Sequence, residues 1–225
     1  MKAKKFLLLS LSILGFTHLF AQNINLKKTG LKPIHVSMSF TEIDGKKTVR
    51  VTKDSSIKEF DAPTFVRLDS IHFHNGTIEL TLLSKLLPNA PDFARGFIGV
   101  AFRINEDNSR FESIYIRPTN GRATQQLRRN RSIQYFSYPD YQFERLRKEA
   151  PGEYESYADM GLNEWTKMKI VVKDSQAQLF LNDTRQPSLV VNDLKHGPNN
   201  NGAIGLFVDI GTEGFFADVK IVKEN

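Results

Sequence analysis

Between Arg103 and Arg147 the chain places nine of its thirteen arginines and none of its eighteen lysines. The densest part, YIRPTNGRATQQLRRNR from Tyr115 to Arg131, holds five of them with two glutamines and two asparagines. Solubility alone would be served as well by lysine. A guanidinium differs in being a flat fork that meets carboxylates, sulfates and vicinal hydroxyls at two points and stacks on rings. Phe111, Tyr115, Tyr135, Phe136, Tyr138, Tyr141 and Phe143 lie in the same window. Rings interleaved with guanidinium groups suit a groove for a saccharide, neutral or anionic: the C–H face of a sugar stacks on aromatic carbon while its hydroxyls take hydrogen bonds. The same arginines could instead clamp a long loop to a sheet through Glu106, Asp107, Glu112, Asp140 and Glu144, because a buried arginine requires partners. Both readings stay open at this level.

Side chains alternate across an extended strand, and this divides the candidates. In FESIYIRP, Ile114 and Ile116 share one face and are expected to pack inward. Tyr115 and Arg117 share the other with Ser113 and are expected to face a concave surface. Pro118 has no N–H and ends the strand. Asn120-Gly121 turns the chain, leaving Arg117, Asn120, Gln125, Arg128 and Arg129 near one rim. In IQYFSYPD, Tyr135 goes with Ser137 and Phe136 with Tyr138, so either tyrosine could meet a ligand. The binding candidates are therefore Tyr115, Arg117, Asn120, Arg128, Arg129, Tyr135 and Tyr138. Glu112, Asp140 and Glu155 flank the region and are the acids available for proton transfer. His72 and His74 put two imidazoles on one strand face, but no third zinc ligand follows, and a solvent-facing pair is expected. Trp165 shares parity with Lys167 and Lys169, away from Met168.

The elements that must position these residues read as strands. GTIELTLLS, GFIGVAFRI, FESIYIRP, WTKMKIVVKD, QAQLFLND, GAIGLFVDI and GFFADVKIVK combine β-branched or aromatic residues with a period of two. Met168, Ile170 and Val172 alternate with lysines, and Ala177, Leu179 and Leu181 with glutamines. GFIGVAFRI is apolar on both faces, as a central covered strand would be. Asp44-Gly45, Asn75-Gly76, Asn182-Asp183 and the Pro198–Gly202 run punctuate them. Asp140–Ala150 carries a helical spacing and predicts one short helix. Many short strands without crossover helices imply an all-β antiparallel sandwich.

Composition bounds the compartment. Lys2, Lys4 and Lys5 precede an apolar run ending at Ala21, which reads as a secretory signal over 1–21, cleaved before Gln22. Ser10, Ser12, Gly15, Thr17 and His18 interrupt a run already too short to span a bilayer. The signal takes three of the lysines behind the net charge of +6, leaving +3. That balance and export argue against a nucleic-acid partner. With no cysteine, no disulfide can brace the exported chain, so its core must. The expected organisation is a lead-in over 22–34, mobile, then one domain over 35–225, placed in the periplasm or outside the cell.

The order NGTIEL, FIGVAFRI, ESIYIRP, NEWTKMKIVV, AQLFLND, PSLVVNDLKHG, GAIGLFV, GFFADVKI, running from Asn75 to Val222, resembles concanavalin A-like jelly-roll domains. It is most similar to the bacterial branch of laminin-G-like modules and 3-keto-disaccharide hydrolase domains, through Glu112–Pro118 and the closing FFADVKI. The resemblance implies a jelly roll and, as an alternative to simple glycan binding, glycosidic-bond hydrolysis with Glu112 or Asp140 as proton donor or base. It also implies a structural calcium at Asp218, and a tryptophan at the place of Trp165 packed at the sheet edge. A third alternative is a polyanion- or protein-binding patch at Leu127–Arg131. Glu42-Ile43-Asp44 matches the E-x-D core of jelly-roll glucanases. Hydrolysis requires two carboxylates, however, and Gly45, Lys46 and Lys47 follow, so it reads as a hairpin turn.

Overall fold

The computed structural model describes residues 20–27 and 29–224, so residues 1–19 of the expected signal lie outside the described residues. Fifteen strands follow in chain order. The first five are β1 (Phe20–Asn23), β2 (Leu31–Ile34), β3 (Val36–Ile43), β4 (Lys46–Lys53) and β5 (Phe65–Phe73). Then come β6 (Asn75–Leu86), β7 (Ile98–Ile104), β8 (Phe111–Ile116), β9 (Ile133–Tyr138) and β10 (Glu155–Ser156). The last are β11 (Thr166–Lys173), β12 (Gln176–Leu181), β13 (Leu189–Val191), β14 (Gly202–Val208) and β15 (Thr212–Glu224). Two one-turn helices, α1 (Pro118–Gly121) and α2 (Gln126–Arg129), and a longer α3 (Phe143–Glu149) interrupt them.

One sheet runs β13-β12-β11-β6-β15-β4-β3, with β1 also on β15; the other runs β10-β9-β8-β7-β14-β5-β2. The pairs are antiparallel, and the two sheets form a jelly-roll sandwich, as the sequence pattern requires. Met168, Ile170, Val172, Ala177, Leu179 and Leu181 are buried, and Lys167, Lys173, Gln176 and Gln178 are exposed. The short helix expected over 140–150 is α3, which buries Leu146. Asp44 and Gly45 both have positive φ (52° and 74°), the conformation a two-residue hairpin turn demands.

The segment 22–34 corrects one expectation. It is built into the sandwich rather than lying outside it. Gln22 and Asn23 pair with Ile221 and Lys220, Ile24 is buried, and β2 edges the seven-stranded sheet against β5. A free sheet edge and an apolar contact hold it there.

Ile98 pairs with Ile116 and Val100 with Ile114, and these side chains face the opposing sheet, where Ile98 and Val208 lie against Gly214. Tyr115 therefore faces outward, as its parity predicts. That outer face is nevertheless closed. Phe65, Phe111, Tyr115, Phe136 and Phe207 cover it with ring centroids 5.3–5.8 Å apart, all of them buried. Gly99, opposite Tyr115, makes room: a Cβ there would come within 2.7 Å of the Tyr115 Cβ. Phe60, Phe97 and Phe143 form a second tier above the layer.

Arg103 belongs to the arginine run yet serves the fold. It is buried, and its guanidinium donates to the carbonyls of His74 (3.0 Å), Gly197 (3.1 Å) and Asp174 (2.8 Å) and to Asn75 Oδ1 (3.0 Å). It ties the β5–β6 and β11–β12 turns to the loop before β14. Losing a donor set that satisfies four acceptors is expected to cost about 2–4 kcal/mol in Arg103→Met. Arg103→Lys should recover little of it, since one ammonium cannot span the four. Urea unfolding measures both.

Candidate functional site

The chain leaves β8 at Ile116 and is caught at once by two bonds: the Arg117 backbone N–H donates to Ser132 O at 2.7 Å, and the Asn120 side-chain Nδ2 donates to Arg131 O at 3.0 Å. Pro118 opens α1, where a missing N–H costs nothing. These contacts fold Tyr115–Arg131 into a compact rim at the end of the seven-stranded sheet. At its centre stands Glu155 on β10, whose side chain is 6 % exposed. Three guanidinium groups converge on it: Arg147 Nη2 at 2.5 Å, Arg117 Nη1 at 3.1 Å and Arg131 Nε at 3.4 Å. Arg117 also donates to Tyr115 OH (2.8 Å) and Gln134 Oε1 (3.1 Å), and lies over the Tyr115 ring at 5.0 Å.

Three arginines on one carboxylate leave the rim cationic, and further arginines add to it. Arg128 donates to Asn120 Oδ1 at 3.2 Å, and Arg129 to Tyr157 OH at 2.8 Å with its guanidinium 4.9 Å from that ring. Arg95 bonds only backbone carbonyls, those of Asp92 and Ala94. Among the described residues, Arg95, Arg128 and Arg129 have no acidic partner. Burial first, then Arg128 and Arg117, lower the pKa of Arg95; burial first, then Arg147, lower that of Arg131 despite Glu155. The groups feel one another's charge.

Arg117, Asn120, Arg128 and Arg129 thus come together as the sequence analysis expects. Tyr115 joins them through its hydroxyl only: its ring, expected to face an open surface for stacking, is 2 % exposed beneath Phe97 and Arg117. The exposed ring is Tyr157, at 41 %. Tyr135 and Glu112 lie elsewhere. They face the opposing sheet, where Tyr135 OH donates to Glu112 Oε2 (2.6 Å) and accepts the Lys195 N–H, while Glu112 Oε1 accepts the His196 N–H. Glu112 shares parity with Ile114 and Ile116, so strand alternation carried that signal. Tyr138 is half-buried on Phe111 (5.2 Å) at the other end of β9, and exposed Asp140 follows it; six residues of strand, roughly 20 Å, separate them from the rim.

The clamp reading holds in part, with other acids. Arg117, Arg131 and Arg147 meet Glu155, Arg122 meets Asp159 and Glu164, and Arg145 meets Glu149. Asp218, at φ +55° in a bulge of β15, pairs with Lys46 at 2.8 Å, which holds its carboxyl below the usual range. Calcium takes six to eight oxygens. No group of three or more His, Cys, Asp or Glu lies together among the described residues, and an ammonium already faces Asp218, so these residues do not fit a calcium site. His72 and His74 are exposed, and His74 bonds Pro198 O. Trp165 donates to Asp44 Oδ2 at 3.0 Å, at the tip of the β3–β4 hairpin.

No spacing in the sequence announces the acids beneath α3. Asp209 and Asp61 are both buried. Asp209 Oδ1 takes Lys53 Nζ at 2.5 Å and the Ile210 N–H at 2.7 Å, and Oδ2 takes the Asp61 N–H at 2.9 Å. Asp61 Oδ2 accepts the Phe143 N–H at 2.8 Å, fixing the start of α3, and Asp61 Oδ1 has no hydrogen-bond partner. Burial, then the charge of Asp209, raise Asp61 from 3.8 to about 7.

No family model matches the chain, and no curated protein matches its sequence. Solved structures do. A carbohydrate-binding module, CBM66, from Bacillus subtilis superposes with a TM-score of 0.54 at 13 % identity, over 86 % of this chain and 96 % of that one. A Bacillus subtilis protein of unknown function with a galectin-like fold gives 0.51 at 10 %, over 88 % and 90 %. A native glycosidic hydrolase gives 0.50 at 12 %, over 93 % and 97 %. At such identities the likeness is one of fold, the jelly-roll sandwich shared by lectin-like and hydrolase domains.

Asp61 makes stability depend on pH. A carboxyl with a higher pKa in the folded chain binds more protons folded than unfolded, so stability falls as pH rises from about 4 to about 7 and stays low above that. Asp61→Asn keeps the acceptor for Phe143 and carries no charge. It is expected to flatten the slope and to stabilise the chain above pH 7 by on the order of 2–4 kcal/mol. Urea unfolding at pH 5 and pH 8 measures the difference, and an unchanged slope would place the dependence elsewhere.

Proposed function

We propose that the protein is an exported jelly-roll module that recognises carbohydrate by its acidic groups, uronate or sulfate, at the rim of Arg95, Arg128, Arg129, Arg131 and Arg147. Arg117 and Asn120 hold this rim from below, and Tyr157 offers the ring. The observation that carries the reading is the charge imbalance: several mutually repelling guanidinium groups surround the single buried carboxylate of Glu155. An arrangement that raises its own electrostatic energy is relieved by an anion, and the forks favour planar or multi-oxygen acids. The module binds without cleaving. Hydrolysis requires two carboxylates flanking one bond, whereas Glu112 is sealed between the sheets, Glu155 is bound by three arginines and Asp140 stands at the far end of β9.

The test compares polygalacturonate, chondroitin sulfate and a neutral β-glucan. Binding is expected for the acidic polymers, weakening steeply with salt. The double variant Arg128→Ala, Arg129→Ala should lose at least about tenfold in affinity, and lysine at both positions should restore only part of it. Equal binding of the neutral glucan, or wild-type affinity in the double variant, would defeat the reading.

A further inference from the structure

The loop between β6 and β7 has two sides. Arg95 lies on the side that meets the rim, where its carbonyl accepts the Thr119 N–H. On the other side Leu87, Pro91 and Phe93 form one wall of a cavity of about 370 Å³, completed by Ile57 before β5 and Ile210 before β15. Phe93 is 49 % exposed, a large ring left in water at the mouth, touched edge-on by Phe60 at 5.5 Å. At the mouth of a hollow the ring extends the apolar wall that a ligand would meet.

The cavity is preformed. Its floor rests on the Lys53–Asp209 ion pair, buried at both ends, which joins the end of β4 to the turn before β15. The Leu87 N–H donates to Gly211 O at 2.9 Å, and the Ala90 and Ala94 N–H groups close turns within the wall. Gly211 has φ +73°, and a Cβ there would lie 2.7 Å from the Ala94 Cβ, so the wall packs against bare backbone. Lys53, Asp54, Ser55, Lys58 and Asn89 make the polar part of the lining: Asp54 accepts the Ser56 N–H, Lys58 donates to Ser55 O, and Lys53 is held by Asp209 and Glu59 O. Lys58 lies close enough to Asp54 at the mouth to favour the charged carboxylate, so neither sign prevails there, and an apolar group meets the wall of Ile57, Leu87, Pro91, Phe93 and Ile210.

We infer that this cavity is a second binding site, taking a short uncharged alkyl or aryl group. It stands on its own observations and does not require the rim to bind anything. The probes are 1-hexanol and benzyl alcohol, followed through the backbone amide signals of the intact protein in solution. Saturable shifts are expected at Ile57, Leu87, Ile210 and Gly211. Phe93→Ser, a change at an exposed position, should weaken them at least about fivefold, and Ile210→Asn should weaken them further. Arg128→Ala with Arg129→Ala should leave them as they are, which separates this site from the rim. Absence of saturable shifts at these amides, or wild-type binding in Phe93→Ser with a native-like spectrum, would overturn the inference.

Discussion

Phe65, Phe111, Tyr115, Phe136 and Phe207 pack ring against ring on the outer face of the seven-stranded sheet, under Phe60, Phe97 and Phe143. Burying a side chain of this size is worth about 1.5–3 kcal/mol, so the layer contributes heavily to a chain without disulfides. It also closes the face. With β7 and β14 buried on both sides, a ligand could reach neither surface of that sheet without unpacking it. Polar and apolar groups free of ladder bonding are left to the loops at the sandwich ends.

Two buried clusters settle charge in opposite ways. Around Glu155 cations outnumber the acid, and the excess stays in contact with water through half-buried Arg131 and Arg147. Around Asp61 and Asp209 acids outnumber the lysine, and with no water to screen them one carboxyl holds its proton more tightly. The first arrangement leaves guanidinium donors facing water. The second pins α3 and the loop before β5 in place. Arg117 stands between them, bonded to Glu155 and Tyr115 on one side and close enough to Asp61 to favour its charged form.

Strand parity was the reliable guide at short range. It placed Ile114 and Ile116 inward, Tyr115 outward and the β11 and β12 faces correctly. The same parity carries Glu112 inward, which the list of candidate acids left out of account and which argues against proton transfer by that residue. It could not reveal that Tyr115 is roofed, because the roof is Phe97, from another loop and packed on Phe60, with the Arg117 guanidinium, which is held over the ring by its bond to Glu155. Nor could it identify Glu155 as the common partner of Arg117, Arg131 and Arg147. Glu155 sits on a two-residue strand, too short to show any period, and the acids nearest the arginines in sequence pair elsewhere or face solvent.

By itself the sequence determined the layered all-β architecture, the inward and outward side of most strands, the hairpin at Asp44-Gly45 and the gathering of Arg117, Asn120, Arg128 and Arg129. Each follows from local stereochemistry: alternation along an extended backbone, left-handed turn residues, and the stop imposed by Pro118. Tertiary structure alone decided which guanidinium groups are spent on acids, which face is closed, and that Lys53, Asp61 and Asp209 meet. Those outcomes depend on how separate segments meet, across as many as 156 residues for Lys53 and Asp209, and on the exclusion of water once they touch. No local pattern encodes either.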